Sequence, residues 1–187
     1  MKARNYGPVK GQAYTRKEYI KGFPPPKIVK FTMGDTKGTF DYEARLIALQ
    51  RTQIRHIALE ATRVATNRVL IDKLVNDYYM QVVPYPHNIL RENKMIFGAH
   101  ADRLQQGMRR SFGRTIGTAA RVEPGQTLII VRVKANAIET AKLSLKRGMA
   151  KLPTPCRIIV EKLSPQPQEA DLNPAELSKA DGQVEMD

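Results

Sequence analysis

The chain has 187 residues, 42% of them hydrophobic, and carries 31 Lys and Arg against 18 Asp and Glu, a formal net charge of +13. That length suits one domain with extensions or two small ones. A single cysteine, Cys156, excludes an intramolecular disulfide, and no apolar run approaches the roughly 18 residues of a membrane-spanning helix.

So basic a surface favours a polyanion, with phosphate contacts supplying much of the affinity, although charge alone leaves acidic membranes open. The N-terminal stretch "MKARNYGPVKGQAY" has no apolar core, so no secretory signal is expected. Cys156 lies in "PCRIIVEK" and reads as a small buried hydrophobe in a reducing, intracellular setting.

Residues 1–38 read as a basic arm. Residues 1–40 hold nine Lys or Arg and two acids, a net +7. Lys2, Arg4, Lys10, Arg16, Lys17 and Lys21 alternate with Tyr6, Tyr14 and Tyr19. Charge interleaved with aromatics suits RNA backbone contact and base stacking, and such an arm is expected to order on binding. "GFPPPK" at 22–27 is stiff and extended, because its prolines fix φ and remove donors. "KIVKF" at 27–31 reads as a short strand.

Residues 39–161 read as the core. "TFDYEARLIA" at 39–48 alternates, with Phe40, Tyr42, Ala44, Leu46 and Ala48 on one face. Asp41, Glu43 and Arg45 share the other face, which reads as solvated surface. A helix is expected from Thr52 as N-cap, burying Ile54, Ile57, Ala58, Ala61, Val64 and Ala65. Its polar side presents Arg55, Arg63 and Arg68. "RVLIDKLVND" reads as a second helical piece or an irregular link. "YYMQVVP" at 78–84 reads as a strand stopped by Pro84 and Pro86, and "YPHNILRENKMIFG" as an extended, partly exposed run.

The segment 99–120 is a long basic insert. Arg103, Arg109, Arg110, Arg114 and, just beyond, Arg121 are spaced by Gly107, Gly113 and Gly117. The guanidinium fork matches phosphate oxygens, and glycine allows close backbone approach. Ser111, Thr115 and Thr118 add hydroxyl donors, and Phe112 suits either stacking on a base or anchoring the loop. No Walker spacing is present, so no nucleotide cofactor is expected.

"VEPGQ" marks a turn at Pro124-Gly125, and "TLIIVRV" at 127–133 reads as a central strand. Asn136 and Glu139 form a capping-box pattern ahead of a helix with the stripe Ile138, Ala141, Leu145, Gly148 or Met149, and Leu152. Lys142, Lys146 and Arg147 suit the helix dipole as well as RNA. Cys156, Ile158 and Val160 alternate in a last strand. The order strand–helix–strand, insert, strand–helix–strand predicts an α/β two-layer sandwich, two helices packed on a mixed β-sheet. Residues 162–187 read as a disordered acidic tail; residues 161–187 carry a net −5.

No catalytic site is expected. His56, His87 and His100 are scattered, and one cysteine with three histidines cannot build a zinc cluster. His100 and Asp102 are acid–base types on a loop but need not face each other. Two rival classes are an RNA-modifying enzyme, which would need convergent ionisable groups in a pocket, and an assembly factor, which would bind a particle only transiently.

Five stretches carry a resemblance: "VKGQAYTRKEYIKGFPPPKIVKFTMGD" at 9–35, "QIRHIALEATRVATNR" at 53–68, "HADRLQQGMRRSFGR" at 100–114, "GTAARVEPGQTLIIVRV" at 117–133 and "AKLPTPCRIIVEK" at 150–162. Across residues 3–161 the chain resembles the large-subunit ribosomal proteins called L16 in bacteria and L10e in archaea, in the archaeal form. The resemblance implies a two-layer α/β core that binds large-subunit rRNA near the base of the central protuberance. It implies an internal loop, roughly 101–117, that reaches towards the peptidyl-transferase region and bound tRNA. Carried onto this chain, the loop residues are Arg103, Arg109, Arg110, Ser111, Phe112 and Arg114. The implied partners are rRNA, tRNA and neighbouring ribosomal proteins in the cytoplasmic ribosome, with no small-molecule substrate, cofactor, metal or membrane.

Overall fold

A computed structural model describes residue 9 and residues 11–92 and 113–163. The acidic tail and most of the 99–120 insert therefore lie outside the described residues. Eight strands and two α-helices follow in chain order: β1 (Thr32–Gly34), β2 (Tyr42–Ala48), β3 (Thr52–Arg55), α1 (His56–Leu74), β4 (Tyr79–Val82), β5 (Asn88–Glu92), β6 (Arg114–Val122), β7 (Thr127–Val133), α2 (Ile138–Met149) and β8 (Cys156–Lys162). Two helices packed on strands give the expected α/β architecture. The strands divide into two sheets, β1-β4-β7-β2-β8 and β3-β6-β5, and every pairing among the described residues is antiparallel rather than mixed.

The alternating strands behave as their pattern requires. In β2, Ala44, Leu46 and Ala48 are buried in one core with Leu128, Ile129, Val131 and Val133 of β7, the middle strand of its sheet. Cys156, Ile158 and Val160 of β8 pack against the same core. Each fully buried Leu or Ile adds about 1.5–3 kcal/mol to folding. Glu123 to Gln126 form the Pro-Gly turn, with Gly125 at φ 83° and Gln126 N donating to Glu123 O at 3.2 Å. This positive φ is a conformation glycine adopts at little cost.

Several local expectations are overturned. "KIVKF" is not a strand: β1 starts at Thr32, although Phe31 O accepts from Val82 N at 2.8 Å. Thr52 opens β3 instead of capping a helix, and α1 starts at His56 without a side-chain cap. "RVLIDKLVND" continues α1 to Leu74. Asn136 does not cap α2: a 3-10 turn, Ala135–Ala137, leads into it, and Ala137 makes no side-chain cap bond. Residues 114–120 are not loop but most of β6.

The face of α1 also differs from its apolar period. His56, Leu59, Thr62, Thr66, Val69 and Leu70 are buried, while Ile57 and Val64 are each 48% exposed. The reason is the crossing of α1 on α2, where Thr62 and Thr66 meet Gly148. Small side chains let the backbones approach closely. Two hydroxyls at the crossing bond within their own helix: Thr62 Oγ1 donates to Ala58 O at 2.7 Å, and Ser144 Oγ to Ala141 O at 2.8 Å.

Glu43 is a further correction. It is 3% exposed, not solvated. Arg45 Nε and Arg132 Nε both donate to its carboxylate, the latter at 2.7 Å. Burial alone raises the Glu43 pKa, but the two guanidinium groups outweigh it and hold the carboxyl below its ordinary value. Burial pushes the Cys156 thiol up to about 11, which fits a packing role rather than nucleophilic chemistry.

Candidate nucleic-acid interface

The described part of the arm is anchored to the three-stranded sheet. Arg121 of β6 donates Nη1 to Gly11 O at 2.9 Å and Nη2 to Gln12 O at 2.8 Å. Tyr14 N donates to Asn88 Oδ1 at 2.7 Å, and Ile89 N donates to Tyr14 O at 2.9 Å, so Tyr14 is tied to β5. Thr115 Oγ1 donates to Gly22 O at 2.7 Å. Ile20 and Ile28 are buried. Side-chain and backbone groups of β5 and β6 thus bind the arm at Gly11, Gln12, Tyr14 and Gly22.

His56 is the last clamp. Its Nδ1 accepts from Lys27 N at 2.7 Å, which requires that nitrogen unprotonated. Burial first, then the charges of Arg55 and Lys27, lower its pKa and keep the ring neutral. A Cβ at Gly117 would lie 2.6 Å from His56 Nε2, so β6 passes under the ring only with glycine there. The histidine is a packing residue that joins arm, helix and sheet.

These anchors hold Arg16, Lys17 and Lys21 exposed on the arm, with Lys17 Nζ 5.6 Å from the Phe23 ring centroid. Arg114, at the start of β6, is exposed beside them, and Arg91 of β5 stands over the Tyr14 ring at 4.5 Å. Lys21, Arg91, Arg114, Tyr14 and Tyr19 line one recess. The structure thus brings together arm residues and the root of the internal insert. Arg63 binds Glu60 through its fork at 2.6 Å and 2.9 Å, and Nη1 lies 3.0 Å from Met33 Sδ. Arg55 is half-buried at the start of α1. Lys2, Arg4, Lys10, Arg103, Arg109, Arg110, Ser111 and Phe112 lie outside the described residues.

Among the described residues, no group of His, Cys, Asp and Glu could hold a metal ion, and no helix is long and apolar enough to cross a membrane. Residues 9–159 match the sequence profile of ribosomal protein L16p/L10e. The chain belongs to the L16p/L10e family. Its similar relatives carry the name large ribosomal subunit protein uL16. That of Staphylothermus marinus is 51% identical over 164 residues, covering 87% of this chain and 94% of the relative. That of Hyperthermus butylicus is 54% identical over 151 residues, covering 80% and 84%. That of Picrophilus torridus is 50% identical over 161 residues, covering 86% and 92%. These names are those of ribosomal structural proteins, not of enzymes.

In this L16p/L10e chain the sequence had not singled out Arg91. Its only local signal is a basic residue in "NILRE", and its partner Tyr14 lies far away in sequence. The bonds from Tyr14 N to Asn88 Oδ1 and from Ile89 N to Tyr14 O lay the arm along β5 and bring the two together, and the pairing of β5 with β6 sets Glu92 opposite Arg114.

Proposed function

We propose that the chain is a structural component of the large ribosomal subunit in the cytoplasm, of the archaeal L10e type, that binds large-subunit rRNA near the base of the central protuberance. The pre-anchored basic surface of the arm supports this reading most directly. Arg16, Lys17 and Lys21 are exposed on a backbone that the sheet already holds, so less ordering entropy opposes phosphate contact. The internal Gly/Arg segment between β5 and β6 in the chain, with Arg103, Arg109, Arg110, Ser111, Phe112 and Arg114, helps position tRNA near the peptidyl-transferase centre. A globular core cannot enter a crowded RNA interior, whereas such a segment can. Its other partners are neighbouring ribosomal proteins, and the chain itself takes no small-molecule substrate, cofactor or metal.

Salt dependence tests the arm's part. For the full chain on deproteinised large-subunit rRNA, log K falls linearly with log salt. The triple variant Arg16→Gln, Lys17→Gln, Lys21→Gln should make that slope shallower by about two to three, since each lost phosphate contact removes about 0.7–0.9. An unchanged slope would contradict arm contact with the RNA backbone.

A further inference from the structure

An open recess of about 420 Å³ lies where the arm meets the ends of β5 and β6. Such a volume falls within the roughly 300–1,000 Å³ of small-ligand clefts, and it admits one nucleotide rather than a helix. Lys21, Arg91 and Arg114 line it, and among the described residues no carboxylate does. Glu18 and Glu92 lie on the adjoining elements but outside the lining. The lining charge therefore selects an anion.

The aromatic groups select further. Tyr19 is 75% exposed and presents a free-standing ring at the recess. Tyr14 already carries the Arg91 guanidinium on its ring at 4.5 Å, which fixes that cation in place. A π-surface beside two exposed cations, Lys21 and Arg114, matches a base attached to a phosphate. The walls are preformed: the Asn88 and Ile89 bonds hold Tyr14, and Thr115 holds Gly22.

We propose that this recess receives a single unstacked nucleotide of an RNA chain, with its base on Tyr19 and its phosphate between Lys21 and Arg114. The assignment rests on the RNA-binding reading above and deepens it, because it separates recognition of an extruded nucleotide from general attraction to a backbone.

The test uses the full chain and two short RNA duplexes, one with a single bulged 2-aminopurine and one with the same analogue paired. The bulged duplex should bind about tenfold more tightly, within the range expected for one base–aromatic stack. The analogue's fluorescence should change on binding. Tyr19→Leu should erase the preference while leaving affinity for the paired duplex within about twofold; its side chain is too exposed for the fold to depend on it. Equal binding of the two duplexes, or a preference that survives Tyr19→Leu, would overturn the nucleotide site and leave the RNA reading standing. Displacement of the bulged duplex by millimolar adenosine monophosphate would mark a mononucleotide site and overturn the assignment to a chain. Failure to bind either duplex at low salt would overturn both readings.

Discussion

Gly148→Ala should destabilise the protein by about 1–3 kcal/mol, although alanine is the better helix former by about 1 kcal/mol. The added Cβ would lie 2.2 Å from Thr66 Oγ1 and 3.2 Å from Thr62 Cγ2. Thr66 is wholly buried on α1 and is β-branched, so it has little room to turn away. Overpacking therefore outweighs propensity. Thr66→Ala supplies the control. Among the described residues Thr66 Oγ1 has no hydrogen-bond partner, so its removal relieves an unsatisfied group while losing a methyl contact. The double variant Thr66→Ala, Gly148→Ala should recover most of the lost stability. Urea unfolding of the four chains measures the coupling, and simple additivity of the two single effects would contradict direct contact.

Glu43→Ala should cost about 2–4 kcal/mol. Removing one member of a buried ionic group typically costs about 3–5 kcal/mol, because it strands the remaining charge. Here the remaining charges are Arg45 and Arg132, with 37% and 42% of their side chains in solvent, and Arg45 keeps Glu161 at 3.4 Å, so the cost is reduced. The pH dependence has a defined sign. The carboxyl's folded-state pKa lies below the ordinary 4.5, so its contribution is complete above that pH and is lost as pH falls through the lowered value. Acid unfolding curves of parent and variant should therefore converge below pH 4.5. A constant gap between them down to the end of the titration would contradict the ionic origin of the effect.

The parts of the fold visible in the sequence are those whose burial is apolar and periodic. Strand β2 alternates apolar and polar residues, β7 is an apolar run on both faces for most of its length, and β8 sets Cys156, Ile158 and Val160 on one face; each is where that pattern puts it. The α1 face was hidden because its inward positions include His56, Thr62 and Thr66, which no hydrophobic period marks. Likewise β6 looked like loop because Gly117, Thr118, Ala119 and Ala120 are small. Their burial comes from partners on either side, His56 over Gly117 and the antiparallel pairing to β3 and β5. Glu43 looked exposed because its partner Arg132 lies 89 residues away across the β2–β7 ladder.

The interface divides in the same way. Arg16, Lys17, Lys21 and Arg114, singled out by charge, are exposed. Their convergence with Tyr14, Tyr19 and Arg91 was not legible, because it depends on the register of β5 on β6 and on the path of the arm across them. Arg63 had the right charge and the right side of the helix for RNA. In the structure its fork meets Glu60 on the preceding turn and Met33 on β1.

Co-sedimentation with purified large ribosomal subunits through a high-salt sucrose gradient tests the central claim most directly. One copy per subunit, retained at high salt, is the result the account predicts. Free protein at the top of the gradient, with no stoichiometric fraction on the particle, would contradict it and move the chain to a transient RNA-binding role.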